Sequence, residues 1–325
     1  MTFPASIHKH QTPSVSAVRV ATAALLISLA AGCTTAVQPT AGALPNAPAA
    51  TSAPAVTGAS ATASASTATG AATRSTTLAA PACAEVWKRP RPAPAGTASV
   101  SQVKPISAAL AHCLEGTTLR STVSACAAAS QLALVEVPYR NFKDQIVYGQ
   151  LVISATLAPR LGKIFERILR ETRFQIEHIL LPEAVTTLPK SQNPQAGRLV
   201  DNHIMEVNLT SGYNCRAFVE GGIDKHGNGI ALDINPVQNP MTITNPKPGE
   251  ARLSPAAAVA YQRRTDSTKD PYRRRILGRT YPDGGAVITL FEAAGYTWGG
   301  CFRDPDLQHF DHRTDMTVRR RCGAA

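Results

Sequence analysis

The stretch His226-Gly227-Asn228-Gly229-Ile230-Ala231-Leu232-Asp233-Ile234-Asn235-Pro236 decides how the rest of the chain is read. Its glycines form a turn, and the residues after the turn alternate. Ile230, Leu232 and Ile234 point to one face of a strand, and Ala231, Asp233 and Asn235 point to the other. A carboxylate is thereby held on a rigid strand with a small alanine two residues before it, which leaves room at its side. His226 lies seven residues upstream of Asp233, across the turn, within reach of the same side. A histidine and a carboxylate that converge in this way supply two of the three protein ligands of a catalytic zinc site, whose remaining position holds water.

The third ligand is expected from a distant segment, Asp304-Pro305-Asp306-Leu307-Gln308-His309-Phe310-Asp311-His312, which follows the turn-like Trp298-Gly299-Gly300. On a strand, His309 and His312 face opposite ways and do not share an ion. Pro305 and the short length argue against a helix. His309 is therefore the expected ligand, with His312 exposed or behind the ligands.

These residues carry a resemblance. His226-x-x-Gly229-x-Ala231-x-Asp233, followed later by Asp306-x-x-His309, resembles the zinc peptidases that cut peptidoglycan stem peptides. Those are the D-alanyl-D-alanine carboxypeptidases and L-alanyl-D-glutamate endopeptidases. Tyr213-Asn214-Cys215-Arg216, Asp233-Ile234-Asn235-Pro236-Val237-Gln238-Asn239-Pro240 and Gly295-Tyr296-Thr297-Trp298-Gly299-Gly300 are similar to further motifs of one branch. The likeness runs from about Val135 to about His312.

The resemblance implies roles. His226, Asp233 and His309 would hold Zn2+, Asp306 would be the general acid/base, and Arg216 would hold the substrate or the developing oxyanion. Two positions depart from the pattern. The serine expected two residues before His226 is Asp224, and the residue after Gly300, often acidic or polar in the family, is Cys301.

Upstream, Lys9 and Arg19 precede an apolar run, Ala21 to Ala31, that is short for a membrane span and placed as a signal-peptide core. It ends in Leu29-Ala30-Ala31-Gly32-Cys33, which resembles a bacterial lipobox with Cys33 as the lipid-bearing residue. Residues 1–33 are thus read as a signal peptide, and the protein as exported, periplasmic or envelope-bound through a membrane anchor. Residues 34–81 are almost entirely Ala, Thr, Ser, Pro and Gly, with Arg74 the only charge. Such a composition cannot bury enough surface to offset its ordering entropy, so it reads as a disordered tether.

Residues 82–133 read as a small cysteine-containing helical appendage, with helical pieces at Ile106–Leu114 and Ser121–Leu132. A catalytic domain is expected over 134–318 and a basic tail over 319–325. The expected fold is α+β: a small central antiparallel sheet with flanking helices carrying the zinc site. Gln145–Ile153 alternates as a strand, Leu157–Thr172 carries a helical apolar stripe, Phe174–Leu181 reads as a short buried strand, and Pro255–Arg264 and Gly284–Ala294 as helical. His178 and His203 read as structural rather than ligating.

Of the seven cysteines, six remain once Cys33 is lipidated: Cys83, Cys113, Cys126, Cys215, Cys301 and Cys322. An even set in an exported protein suggests disulfides; of the fifteen pairings that six allow, Cys113–Cys126 is a candidate local bridge and Cys215–Cys301 a candidate brace of the cleft, against buried free thiols. No Cys-x-x-Cys pair suggests a thiolate zinc site.

The net charge of +11 and the clustered arginines between Arg263 and Arg275 suit phosphates. Export argues against nucleic acid and leaves anionic wall polymers or lipid surfaces as partners of that charge. The expected function is zinc-dependent amide hydrolysis in peptidoglycan stem peptides. The rivals are a noncatalytic peptidoglycan-binding lipoprotein that keeps the peptidase fold, and a scaffold with a structural zinc.

Overall fold

The structure, a computed structural model, describes residues 83, 90–93, 99–218, 222–246, 252–262 and 272–312. The expected signal peptide, tether and basic tail lie outside the described residues, as does 263–271 of the arginine-rich stretch.

The framework is a four-stranded antiparallel sheet in the order β1-β4-β3-β2, made of β1 (Arg91–Pro92), β2 (Gln102–Pro105), β3 (Leu132–Arg140) and β4 (Ile146–Ser154). Alternation along β3 and β4 sends Val135, Val137, Tyr139, Leu151 and Ile153 into the main core. Pro138 is tolerated in β3 because β2 pairs only as far as Glu136, so no second neighbour requires its missing N–H.

Between β2 and β3 lies helix α1 (Ala108–Leu114), whose N-cap Ser107 accepts from the Leu110 N–H. Helix α2 (Ala158–Glu171) lays Leu161, Ile164, Phe165 and Ile168 on the sheet, as its apolar spacing predicts. Each such side chain, fully buried, contributes about 1.5–3 kcal/mol. Strand β5 (His178–Ile179) pairs in parallel with β6 (Leu209–Thr210), and helix α3 (Pro194–Glu206) runs between them.

A second sheet, antiparallel and three-stranded, has the order β10-β11-β7, where β7 is Ala231–Asp233, β10 Tyr296–Trp298 and β11 His309–His312. A two-stranded ribbon of β8 (Met241–Thr242) and β9 (Leu253–Ser254) lies beside the loop that enters β11. Helix α4 (Pro282–Ala293) joins the two sheets into one core. Its Phe291 stacks on Phe310 of β11 at 4.3 Å and meets Phe165 of α2 edge-on at 6.4 Å.

The α+β fold with antiparallel sheets agrees with the sequence reading; several local expectations do not. Ser121–Leu132 is a run of turns ending in a 3-10 turn, Ala129–Gln131, because Cys126 is tied to Cys215 and the Ala127 N–H donates to Gly227 O at 2.8 Å. Phe174–Leu181 is mostly loop, with strand pairing only at His178–Ile179: the Gln175 N–H donates to Arg274 O, and the Ile176 N–H makes a single bond to Arg140 O at the end of β3. His178 is exposed there, beside Glu177. The described part of the Pro255–Arg264 patch, residues 255–262, holds a 3-10 helix, Ala256–Tyr261, rather than an α-helix.

Residues 102–105 extend the main sheet, and Leu110, Leu114 and Leu119 share a second core with Leu132, Val152, Tyr213 and Cys215. The segment expected to be an appendage therefore packs directly behind the loop that carries Arg216. The disulfides are Cys83–Cys113 and Cys126–Cys215, in place of the candidate pairs Cys113–Cys126 and Cys215–Cys301, and Cys301 is disulfide-bonded as well.

Candidate metal centre

Strand register places two of the three expected ligands. In the antiparallel pair β7–β11, His309 stands directly opposite Asp233, so both side chains leave the same face of the sheet. Leu232 and Phe310, the next pair, point into the core. His312 is on the Phe310 side, against the Tyr296 ring and 3.1 Å from Arg160 Nη1, away from His309 as expected. Asp311 shares the face of His309, opposite the small Ala231, and is buried.

His226 comes from the 3-10 turn Lys225–Asn228. Asp224 caps that turn: its Oδ1 accepts from the His226 N–H at 2.9 Å. Gly229 closes it with φ of 65°, and a Cβ there would lie 2.8 Å from Ser154 N, so glycine is required on both grounds. The His226 O accepts from Asn214 N, and Gly227 packs against the Cys126–Cys215 disulfide, 3.3 Å from a built Cβ to Cys126 Sγ.

The three side chains converge. His226 Nε2 is 3.3 Å from Asp233 Oδ2, His309 Nδ1 is 3.0 Å from Asp233 Oδ1, and the two ring nitrogens are 3.3 Å apart. All three residues are buried. Ligand atoms about 2.0–2.1 Å from a tetrahedral ion stand roughly 3.3 Å from one another, so this donor set fits a small divalent ion such as zinc. His226 Nδ1 lies 2.6 Å from Gly212 O. Donation to that carbonyl fixes the tautomer that leaves Nε2 free to ligate.

The local electrostatics follow from burial and pairing. Burial disfavours the Asp233 carboxylate, but the charge and hydrogen bonds of His226 and His309 hold it well below the usual carboxylate range. Burial likewise opposes a charged His309, yet the hydrogen bond and charge of Asp233 raise it to about 9. A metal ion would displace that proton.

Asp306 sits on the loop entering β11. Its N–H donates to Gly299 O at 3.0 Å and its carbonyl accepts from His309 N. A Cβ on Gly299 would lie 2.4 Å from Asp306 O and 3.1 Å from His309 Cβ, so this glycine lets the loop close against the ligand. Asp306 Oδ1 is shielded from solvent and has no hydrogen-bond partner among the described residues. Burial pushes the Asp306 carboxyl up to about 6, against the opposing charge of His309.

Arg216 is buried and held from two sides: Nε donates to Asp224 Oδ2 at 2.9 Å, and Nη1 pairs with Asp201 on α3. Burial would raise the Asp224 carboxyl, but the Arg216 charge brings it down to about 2. Sequence reasoning missed Asp201, because it missed α3, although Asn193 followed by Pro194 is a helix start and Asn193 does cap Gln195 N. It also missed the Gly212 carbonyl, which no side-chain pattern announces.

The recognised Asp233–Pro240 motif is mainly structural beyond its aspartate. Asn235 bridges Gln175 O, Arg275 O and Glu177 N, and Asn239 bonds Ile234 O and Leu277 N. Together they fix the end of β7 to the surrounding loops. His203 is half-buried on α3 with Nε2 3.2 Å from Val185 O, a structural place as expected.

Residues 220–312 match the family described as D-alanyl-D-alanine carboxypeptidase. Comparisons with curated proteins and with solved structures give no match. The matched segment contains His226, Asp233, Asp306 and His309; Arg216, Asp201 and both cysteines of the bridge behind His226 precede it.

Proposed function

We propose that this chain, similar through residues 220–312 to the D-alanyl-D-alanine carboxypeptidase family, is a zinc-dependent peptidase that hydrolyses an amide bond in peptidoglycan stem peptides. The observation that carries the reading is the convergence of His226, Asp233 and His309 beside a buried carboxyl, Asp306, whose Oδ1 has no hydrogen-bond partner among the described residues. A structural zinc site would need a fourth protein ligand; the described ligand cluster holds these three residues.

His226, Asp233 and His309 would hold zinc, which would supply Lewis-acid polarisation of the scissile carbonyl and a more acidic water. Asp306 takes the proton from the attacking water on the unpartnered Oδ1 and delivers it to the leaving amine. A carboxyl lifted to about 6 is suited to both halves of that exchange near neutral pH. Asp224 and the Gly212 carbonyl keep His226 in place and in its ligating tautomer. Export to an envelope compartment, with an anchor at Cys33, is part of the same proposal. Disulfides such as Cys83–Cys113 and Cys126–Cys215 suit the oxidising side of a membrane.

The test is mass spectrometry of purified muropeptides incubated with zinc-loaded wild type and with His309→Ala. A product made by the wild type alone is expected. Identical product patterns would end the peptidase reading.

A further inference from the structure

Strand register places Asp233 and His309, but His226 sits on the short 3-10 turn Lys225–Asn228, which belongs to no strand. Two remote segments hold that turn. The first does so through the Ala127 N–H, which donates to Gly227 O at 2.8 Å. The second does so through the Asn214 N–H, which donates to His226 O at 3.3 Å, and through Gly212 O, which accepts from His226 Nδ1 at 2.6 Å.

The Cys126–Cys215 bridge ties these two segments together across 89 residues of sequence. Tyr213 ties them a second time, its hydroxyl donating to Ala127 O at 2.9 Å. The turn lies directly on the bridge: a Cβ on Gly227 would stand 3.3 Å from Cys126 Sγ and 3.6 Å from Cys215 Cα. Both cysteines are buried, and both precede residues 220–312, so the clamp comes from outside the segment that carries the ligands. With the bridge open, the two grips on the turn can move independently. His226 Nε2 then loses its fixed 3.3 Å distances to Asp233 Oδ2 and His309 Nδ1. A site that is competent for only a fraction of the time binds more weakly in proportion to that fraction.

We infer that the Cys126–Cys215 bridge, together with Tyr213, is the positioning device for His226, and that the metal centre reaches its full zinc affinity only with this bridge closed. The inference rests on the zinc site of the reading above.

Zinc Kd is measured on the full chain by competition with a chromophoric chelator. Three proteins are compared: wild type, Cys126→Ala with Cys215→Ala, and Cys83→Ala with Cys113→Ala. The last also opens a disulfide, but one attached to α1 and not to the His226 turn. Opening Cys126–Cys215 should raise Kd at least about tenfold, as for a turn in place about a tenth of the time, and should alter the visible spectrum of the cobalt-substituted protein. Opening Cys83–Cys113 should leave Kd and spectrum as in wild type. A wild-type Kd without the Cys126–Cys215 bridge, or an equal rise in both variants, would overturn the inference while leaving the peptidase reading intact. Should the Cys126–Cys215 variant fail to fold, Tyr213→Phe decides in its place, because it removes only the bond to Ala127 O. A rise in Kd of about threefold then supports the positioning role, and an unchanged Kd overturns it. A wild type that holds no stoichiometric zinc would remove the zinc reading and this inference with it.

Discussion

Replacing Asp224 by serine isolates what the carboxylate adds beyond its capping oxygen. Serine can still accept from the His226 N–H, so the cap survives. The ion pair with Arg216 does not. Lowering the Asp224 carboxyl from 3.8 to about 2 corresponds to roughly 2.5 kcal/mol of folding stability. Because the folded-state value lies below the unfolded one, this contribution is fully present above about pH 4 and fades as pH falls toward about 2. Urea denaturation of the metal-free protein should show Asp224→Ser less stable by about 2 kcal/mol near pH 7, with the gap closing below about pH 4. Asp224→Ala should lose about 1 kcal/mol more, for the cap. If serine leaves the stability at pH 7 unchanged, or if the gap is the same at low pH, the clamp on Arg216 contributes nothing and the reasoning fails.

Removing any one ligand, by His226→Ala, Asp233→Asn or His309→Ala, should abolish stoichiometric zinc in metal analysis; retention of the ion by all three would place it elsewhere. In the wild type, zinc at about 100-fold over Kd should raise unfolding free energy by about 2.7 kcal/mol, an increment absent from the ligand variants. Asp306→Asn should keep its zinc and lose about 10²–10⁴ in kcat. The wild-type rate should fall as pH drops through about 6 or somewhat below, because the base takes up its proton there; a flat profile between about pH 4 and 7 would count against Asp306. Cys126→Ser with Cys215→Ser opens a link between residues 89 apart in sequence. The chain-entropy account then predicts a loss of roughly 4–5 kcal/mol, read from urea midpoints, and an unchanged midpoint would refute the bridge.

The site was legible because its information is local and periodic. Alternation along 230–235 fixed which face Asp233 occupies, and the three-residue spacing of His309 and His312 on a strand put the two histidines on opposite faces. Helix α2 was legible for the same reason, through its apolar stripe, and α4 through its run of apolar residues around Val287, Leu290 and Phe291. What escaped was set by tertiary context. A two-residue parallel pair such as β5–β6 leaves no periodic trace. The turns at 121–128 are decided by a bond to Cys215 and by the Gly227 carbonyl, both remote in sequence. Short spacing made Cys113–Cys126 a candidate bridge, whereas the fold brings Cys126 to the loop behind His226. Asp224 illustrates a departure whose meaning needed coordinates: it neutralises Arg216 and holds the histidine turn at once.

The pairing of β7 with β11 has a consequence for how reliably the centre assembles. Sliding β11 by one position against β7 would drive His309 into the oily interior and put Phe310 in the cleft. Phe310 and Leu232 therefore act as a key for the chelating face, because only one alignment lets them stay dry. Trimming Phe310 should degrade ion affinity from the far side of the sheet without touching a donor atom.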